Sequence, residues 1–150
     1  MTTVVKTTFF SLGIGFITEV INVWLNSSFL HKFLEANLVT ILIALLAINA
    51  ATMGIVLTKV MDIVEKNNGV GISCFSKTKN QMLISIKEQI VIIVLAIALL
   101  ILKNSPIVLN IENSELLLNS SITACFIYSL SILYDTAKGI LVIINYSDDN

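Results

Sequence analysis

Between Ala36 and Thr58 the chain carries no charged side chain, and from Ile90 to Leu102 every residue is aliphatic. Runs of this kind constrain the fold more than any motif, because roughly 20 apolar residues coiled as a helix cross the ~30 Å hydrocarbon core of a bilayer. Lipid offers no hydrogen bonds, so a spanning segment must satisfy its own backbone, which predicts helices. Composition agrees: 56% of residues are apolar and 13% charged, against about 45–50% and 25% in an average soluble domain.

Four segments follow from the pattern of charges and helix stops. The first covers about residues 7–26, interrupted by Glu19 and Asn22. The second runs over about 36–66, from Ala36 to the helix-ending Asn67, Asn68 and Gly69. The third covers about 80–103 and stops before Pro106; the fourth covers about 119–145. The expected fold is therefore all-α, an integral membrane four-helix bundle in one domain over 1–150. The N-terminal apolar run has the texture of a signal-peptide core, but it continues through Glu19 to Trp24 without a small-x-small cleavage site and reads as a retained helix.

Lysines set the expected orientation. Lys59, Lys66, Lys77, Lys79 and Lys87 flank the second connection, whereas the third holds Glu112 and Glu115 after Lys103. Positive charge near helix ends favours the cytoplasm, so the second connection and both termini are expected inside a bacterial inner membrane, with the first and third connections outside. Trp24 and Tyr146 then become interfacial anchors. The nine basic residues are all lysine and the net charge is −1, which offers no surface for a run of phosphates and argues against direct nucleic-acid contact. Absence of arginine with abundant Ile and Asn points to an AT-rich bacterial gene.

No chemistry of catalysis is written here. The sequence has no glycine-rich phosphate loop and no cysteine or histidine cluster, so neither enzyme activity, cofactor nor metal is expected. His31 reads as a solvated residue of the first outer connection. Cys74, in a polar connection, and Cys125, within an apolar segment, read as two thiols that do not pair.

Four features at membrane depth or beside it carry more information. Glu19 is the deepest ionisable group, and Asn49 is placed at a similar depth, so the two are expected to meet across helices, either as a proton- or cation-binding site or as a polar staple. Ser121, Ala124, Tyr128, Ser131, Asp135 and Lys138 recur every three or four residues on one helical face. That face either lines a water-filled path or packs against segments two and three, with Asp135 paired to Lys59 or Lys87. Ala47 with Ala51, and Ala50 with Gly54, have the small-xxx-small spacing that lets helices approach closely, within or between subunits. Lys59, Asp62, Lys66, Lys77, Lys79, Lys87 and Glu88 form a charged inner end, either a solvated hairpin or a docking platform for a cytosolic protein or anionic headgroups.

This layout of four short-looped helices, a lysine-rich inner hairpin between ILIALLAINAATMGIVLTKVMDIVEK and KNQMLISIKEQIVIIVLAIALLIL, and an acidic third connection resembles the small membrane proteins of bacterial anti-phage systems. It is most similar in layout to the membrane subunit of Kiwa, and more distantly to the RexB phage-exclusion proteins. The Kiwa resemblance implies a homo-oligomeric membrane sensor, a tetramer, working with a soluble DNA-binding partner of the KwaB kind; it supplies no catalytic residue. The RexB resemblance implies an ion-conducting pore lined by the stretch from Tyr128 to Asp135. A third function class, a small proton-coupled transporter using Glu19, is similar to small multidrug-resistance proteins in its four helices and first-helix glutamate, but departs from them in the long inner hairpin.

Overall fold

A computed structural model describes residues 2–66, 72–109 and 114–148, with side chains placed at most of them. Lys66, Cys74, Lys77 and Tyr146 are among the residues whose side chains lie outside that description, as do the helix stop at 67–69 and Glu112. The described residues form α1 (Thr2–Trp24), α2 (Phe29–Lys66), α3 (Ile72–Lys103), the single turn α4 (Pro106–Leu109) and α5 (Ser114–Asp148). Four of these contain stretches long and apolar enough to cross a membrane: Val4–Trp24, Phe29–Asp62, Lys79–Lys103 and Ser114–Gly139. The chain is an all-α, membrane-spanning four-helix bundle.

Its faces are inverted relative to a soluble protein. Phe9, Phe16, Ile17, Ile55, Val91, Val94 and Ile101 are exposed, while Ser11, Glu19, Asn49, Gln89, Asn119 and Ser129 are buried. In water such a surface would be an unbroken aggregation site, whereas in hydrocarbon it is the solvated face.

Each helix starts or ends where local chemistry requires. The α1–α2 turn is closed by the Ser27 N–H on the Asn22 carbonyl (3.0 Å) and the Asn26 N–H on the Val23 carbonyl (3.2 Å). This paired arrangement needs a left-handed residue just past the helix, and Asn26 takes it with φ 51°. The Ser28 carbonyl then accepts the Lys32 N–H (3.2 Å), so α2 begins at Phe29. The expected start at Ala36 is thus a full seven residues late. His31, Lys32 and Glu35 resemble loop residues because they are polar, yet two of them have partners on other helices: His31 faces Glu19, and Glu35 pairs with Lys103 at 3.5 Å. The third and fourth helices likewise begin earlier than expected, at Ile72 rather than about 80 and at Ser114 rather than about 119.

Lengths decide what projects from the membrane. At 1.5 Å per residue the 23 residues of α1 reach about 35 Å, while the 38, 32 and 35 residues of α2, α3 and α5 reach about 57, 48 and 52 Å. The turn at 25–28, the Glu35–Lys103 pair and the Glu19–Asn119 hydrogen bond bring the four spans together at one end, here called the turn end. The excess length therefore accumulates at the other, the hairpin end, which carries the exposed Lys59, Asp62, Glu65, Lys79 and Lys87.

Helices α2 and α3 pack against one another in antiparallel directions. Leu34, Leu38, Leu42, Leu45, Asn49, Met53 and Val56 are buried on α2 at repeating steps of four, four and three, and Gln89, Ile92 and Ala96 on α3 at steps of three and four. Asn49 meets Gln89, and two heptads away on both helices Glu35 meets Lys103, so a single register holds along the pair. Helix α5 closes the core with Ile122, Cys125, Tyr128 and Ile132. It touches each of the other three spans, whereas α1 packs extensively on α5 alone.

Close backbone approach occurs at a glycine the sequence reading passed over. A Cβ placed on Gly15 would stand 2.6 Å from the Ser120 carbonyl oxygen and 3.0 Å from the Ala124 nitrogen. Within the chain the expected small-residue contact on α2 does not form: Ala47, Ala50, Ala51 and Gly54 are exposed, and nothing lies within 4 Å of a Cβ at Gly54.

Candidate functional site

The face that α1 turns toward α5 contains Ser11, Gly15 and Glu19, one residue per helical turn, all buried. Small and polar groups serve this contact because Leu and Phe gain nothing over lipid by packing there, while a close backbone seam and interhelical hydrogen bonds do. Glu19 is 2% exposed. Its Oε1 accepts a hydrogen bond from Asn119 Nδ2 of α5 at 3.4 Å. His31 Nε2 of α2 stands 3.2 Å from Oε2 without forming a hydrogen bond to it, so Oε2 has no hydrogen-bond donor. One turn on, Asn22 Nδ2 is buried without an acceptor.

These groups open into a cavity of about 500 Å³ at the turn end, walled by α1, the 26–28 turn, the first turn of α2 and the start of α5. Glu115 lines it as well, and no lysine does. The cavity therefore presents two carboxylates and an imidazole to whatever enters from the turn end.

The expected meeting of Glu19 with Asn49 does not occur. Glu19 lies five residues before the end of α1, about 7.5 Å down, whereas Asn49 lies twenty residues into α2, about 30 Å down. Starting the second helix at Ala36 removed about 10 Å of that difference, which is the origin of the error. His31, expected in a solvated loop, is instead a part-buried helical residue with 16% of its side chain exposed, facing Glu19. Asn49 finds partners on α3: its Nδ2 donates to Gln89 Oε1 at 2.9 Å and to Ser85 Oγ at 3.4 Å, forming a buried polar layer. Gln89, Ser85 and Asn119 were missed, although the heptad step that carries Gln89 among Ile92 and Ala96 was visible.

The α5 stripe divides. Ala124 and Tyr128 are buried, and Tyr128 makes polar contact with Glu88 of α3 and Thr8 of α1. Ser121 and Ser131 return their hydroxyls to the carbonyls of Leu117 and Ile127, at 2.8 and 3.0 Å. Asp135 and Lys138 are exposed. Among the described residues Asp135 has no ion pair with Lys59 or Lys87; it lines a shallow cavity with Lys6 and Ser131 instead, since α1 rather than α2 lies beside that end of α5. Lys59, Asp62, Lys79 and Lys87 are exposed on the hairpin end and Glu88 is half-buried; Lys66 and Lys77 lie outside the described side chains.

No protein-family model matches this chain, and neither does any curated protein or solved structure.

Proposed function

We propose that this multi-pass membrane protein is an oligomeric sensor and scaffold of a bacterial inner membrane, acting in anti-phage defence. The turn end faces the periplasm and receives the signal; the hairpin end faces the cytosol and docks a soluble, DNA-binding protein of the KwaB kind. One observation carries the reading: the same unbroken helix, α2, holds His31 against the Glu19 cavity at one end and exposed Lys59 and Asp62 at the other. A helix of 38 residues is stiff along its length, so a displacement at the cavity is felt at the charged end. The lysine bias of the hairpin end supports the orientation, and the resemblance to Kiwa supports the setting.

Docking is tested by reversing charge. Lys79→Glu with Lys87→Glu is expected to abolish recovery of the cytosolic partner in a pull-down from infected cells while leaving membrane insertion intact; unchanged recovery rejects the docking role. A membrane-impermeant maleimide is expected to reach Cys74 only after the inner membrane is permeabilised, and labelling of intact spheroplasts reverses the orientation.

Self-association is assigned to the exposed small-residue face of α2. Gly54→Leu is expected not to destabilise the monomer, since the side chain meets no neighbour and a helical glycine is replaced by a better helix former. The same change is expected to reduce crosslinked tetramer in membranes several-fold. Equal crosslinking by both proteins would move the interface elsewhere.

A further inference from the structure

The Glu19 cavity contains two unmet demands rather than one. Glu19 Oε2 is a buried acceptor without a donor, and Asn22 Nδ2, one turn along the same face of α1, is a buried donor without an acceptor. A buried donor or acceptor left without a partner is destabilising, and more so if it is charged. The volume, about 500 Å³, lies within the roughly 300–1,000 Å³ of small-molecule sites.

The lining selects the charge of an occupant. Glu19 is buried and Glu115 exposed, and the polar lining is completed by the His31 imidazole beside Glu19 and by the amides of Asn22 and Asn119. An anion would meet two carboxylates and no lysine. A bare metal ion would need several ligands drawn together, and among the described residues no three His, Cys, Asp or Glu side chains are grouped for one. A neutral polar molecule could offer Oε2 only an uncharged donor, a weaker partner for a carboxylate than an ammonium. An ammonium group satisfies Oε2 with a charge-assisted hydrogen bond, and an oxygen next to it in the same molecule supplies the acceptor that Asn22 lacks.

We infer that the cavity is a binding site for a small organic ammonium carrying a neighbouring hydrogen-bond acceptor oxygen, the chemistry of a 2-aminoethanol unit. This deepens the reading of the turn end as the receiving face, and rests on it for the side from which the ligand arrives. Two sources present this chemistry there: a free amino alcohol, and the headgroup of an ethanolamine phospholipid, whose phosphate stays outside the acidic lining while its ammonium reaches Glu19.

The test is calorimetric titration of the protein in phosphatidylcholine nanodiscs with ethanolamine, ethylammonium or ethylene glycol. Ethanolamine is expected to bind most tightly, ethylammonium more weakly, and the glycol not at all. Glu19→Gln should weaken both amines at least tenfold. Asn22→Ala should remove the advantage of ethanolamine over ethylammonium while leaving ethylammonium unchanged, and this variant carries the test should Glu19→Gln fail to fold. Binding of the glycol, equal titration of wild type and Glu19→Gln, or an undiminished ethanolamine preference in Asn22→Ala each overturns the inference. Repeating the titration in phosphatidylethanolamine nanodiscs separates the sources, because a headgroup already in the cavity suppresses free ethanolamine and an empty one does not. The docking variants leave the cavity untouched, so partner recovery that depends on Lys79 while no amine binds would reject the ligand and spare the scaffold.

Discussion

Leucine at position 15 is expected to pry α1 off the bundle. Even a single methyl there would stand 2.6 Å from the Ser120 carbonyl and 3.1 Å from the Ala124 side chain, so the two helices must separate before the larger side chain fits. Overpacking of this kind costs about 1–3 kcal/mol and occasionally more. Because α1 rests mainly on α5, no other contact of comparable extent holds it in place. The consequence extends to the cavity, whose Glu19–Asn119 bond crosses the same seam one turn away. Gly13→Leu is the matched control: it changes helix propensity equally, on the same helix, where nothing lies within 4 Å. An SDS titration of purified protein should show a clearly lower unfolding midpoint for Gly15→Leu than for Gly13→Leu. Equal midpoints would mean that the α1–α5 seam is not close-packed.

The Asn49–Gln89 layer should behave as a unit. Asn49→Leu removes the donor that serves both Gln89 and Ser85 and leaves the Gln89 amide, 2% exposed, without its partner in an apolar surround. Interhelical hydrogen bonds within membranes contribute about 0.6 kcal/mol on average and up to about 1.7. An orphaned buried group adds its own penalty, so a loss of about 1–2 kcal/mol is expected. Gln89→Leu should cost less, since Asn49 keeps Ser85 at 3.4 Å. Replacing both by leucine removes the orphans together, and the double variant should be more stable than the sum of the single losses allows. Strict additivity in the same SDS titration would show that the two amides do not depend on one another.

Membrane solvation, the four spans and their approximate centres were all legible in the residue order. Helix ends were less so. Residues 29–35 resemble a loop because His31, Lys32 and Glu35 are polar, and only the fold reveals Glu19 and Lys103 waiting for two of them. Glu19 was identified as an intramembrane polar group, but its partners were not, because a misplaced start of α2 brought Asn49 to the wrong depth. Small-residue spacing pointed to α2, where Ala47, Ala50, Ala51 and Gly54 are exposed, and overlooked the close approach of Gly15 to Ser120 and Ala124.

Hydrophobicity belongs to each residue singly, so a string of letters suffices to say that Ala36–Thr58 must lie in lipid and that Lys59 and Lys79 must not. The order of neighbours is a different kind of quantity. Lipid tails are as apolar as leucine, so one aliphatic face has no preference for another strong enough to leave a pattern along the chain. That α5 rather than α2 is the hub, that α1 leans on it through Gly15, and that Glu19 meets Asn119 and His31 across a cavity were decided by shape and by a few hydrogen bonds between segments.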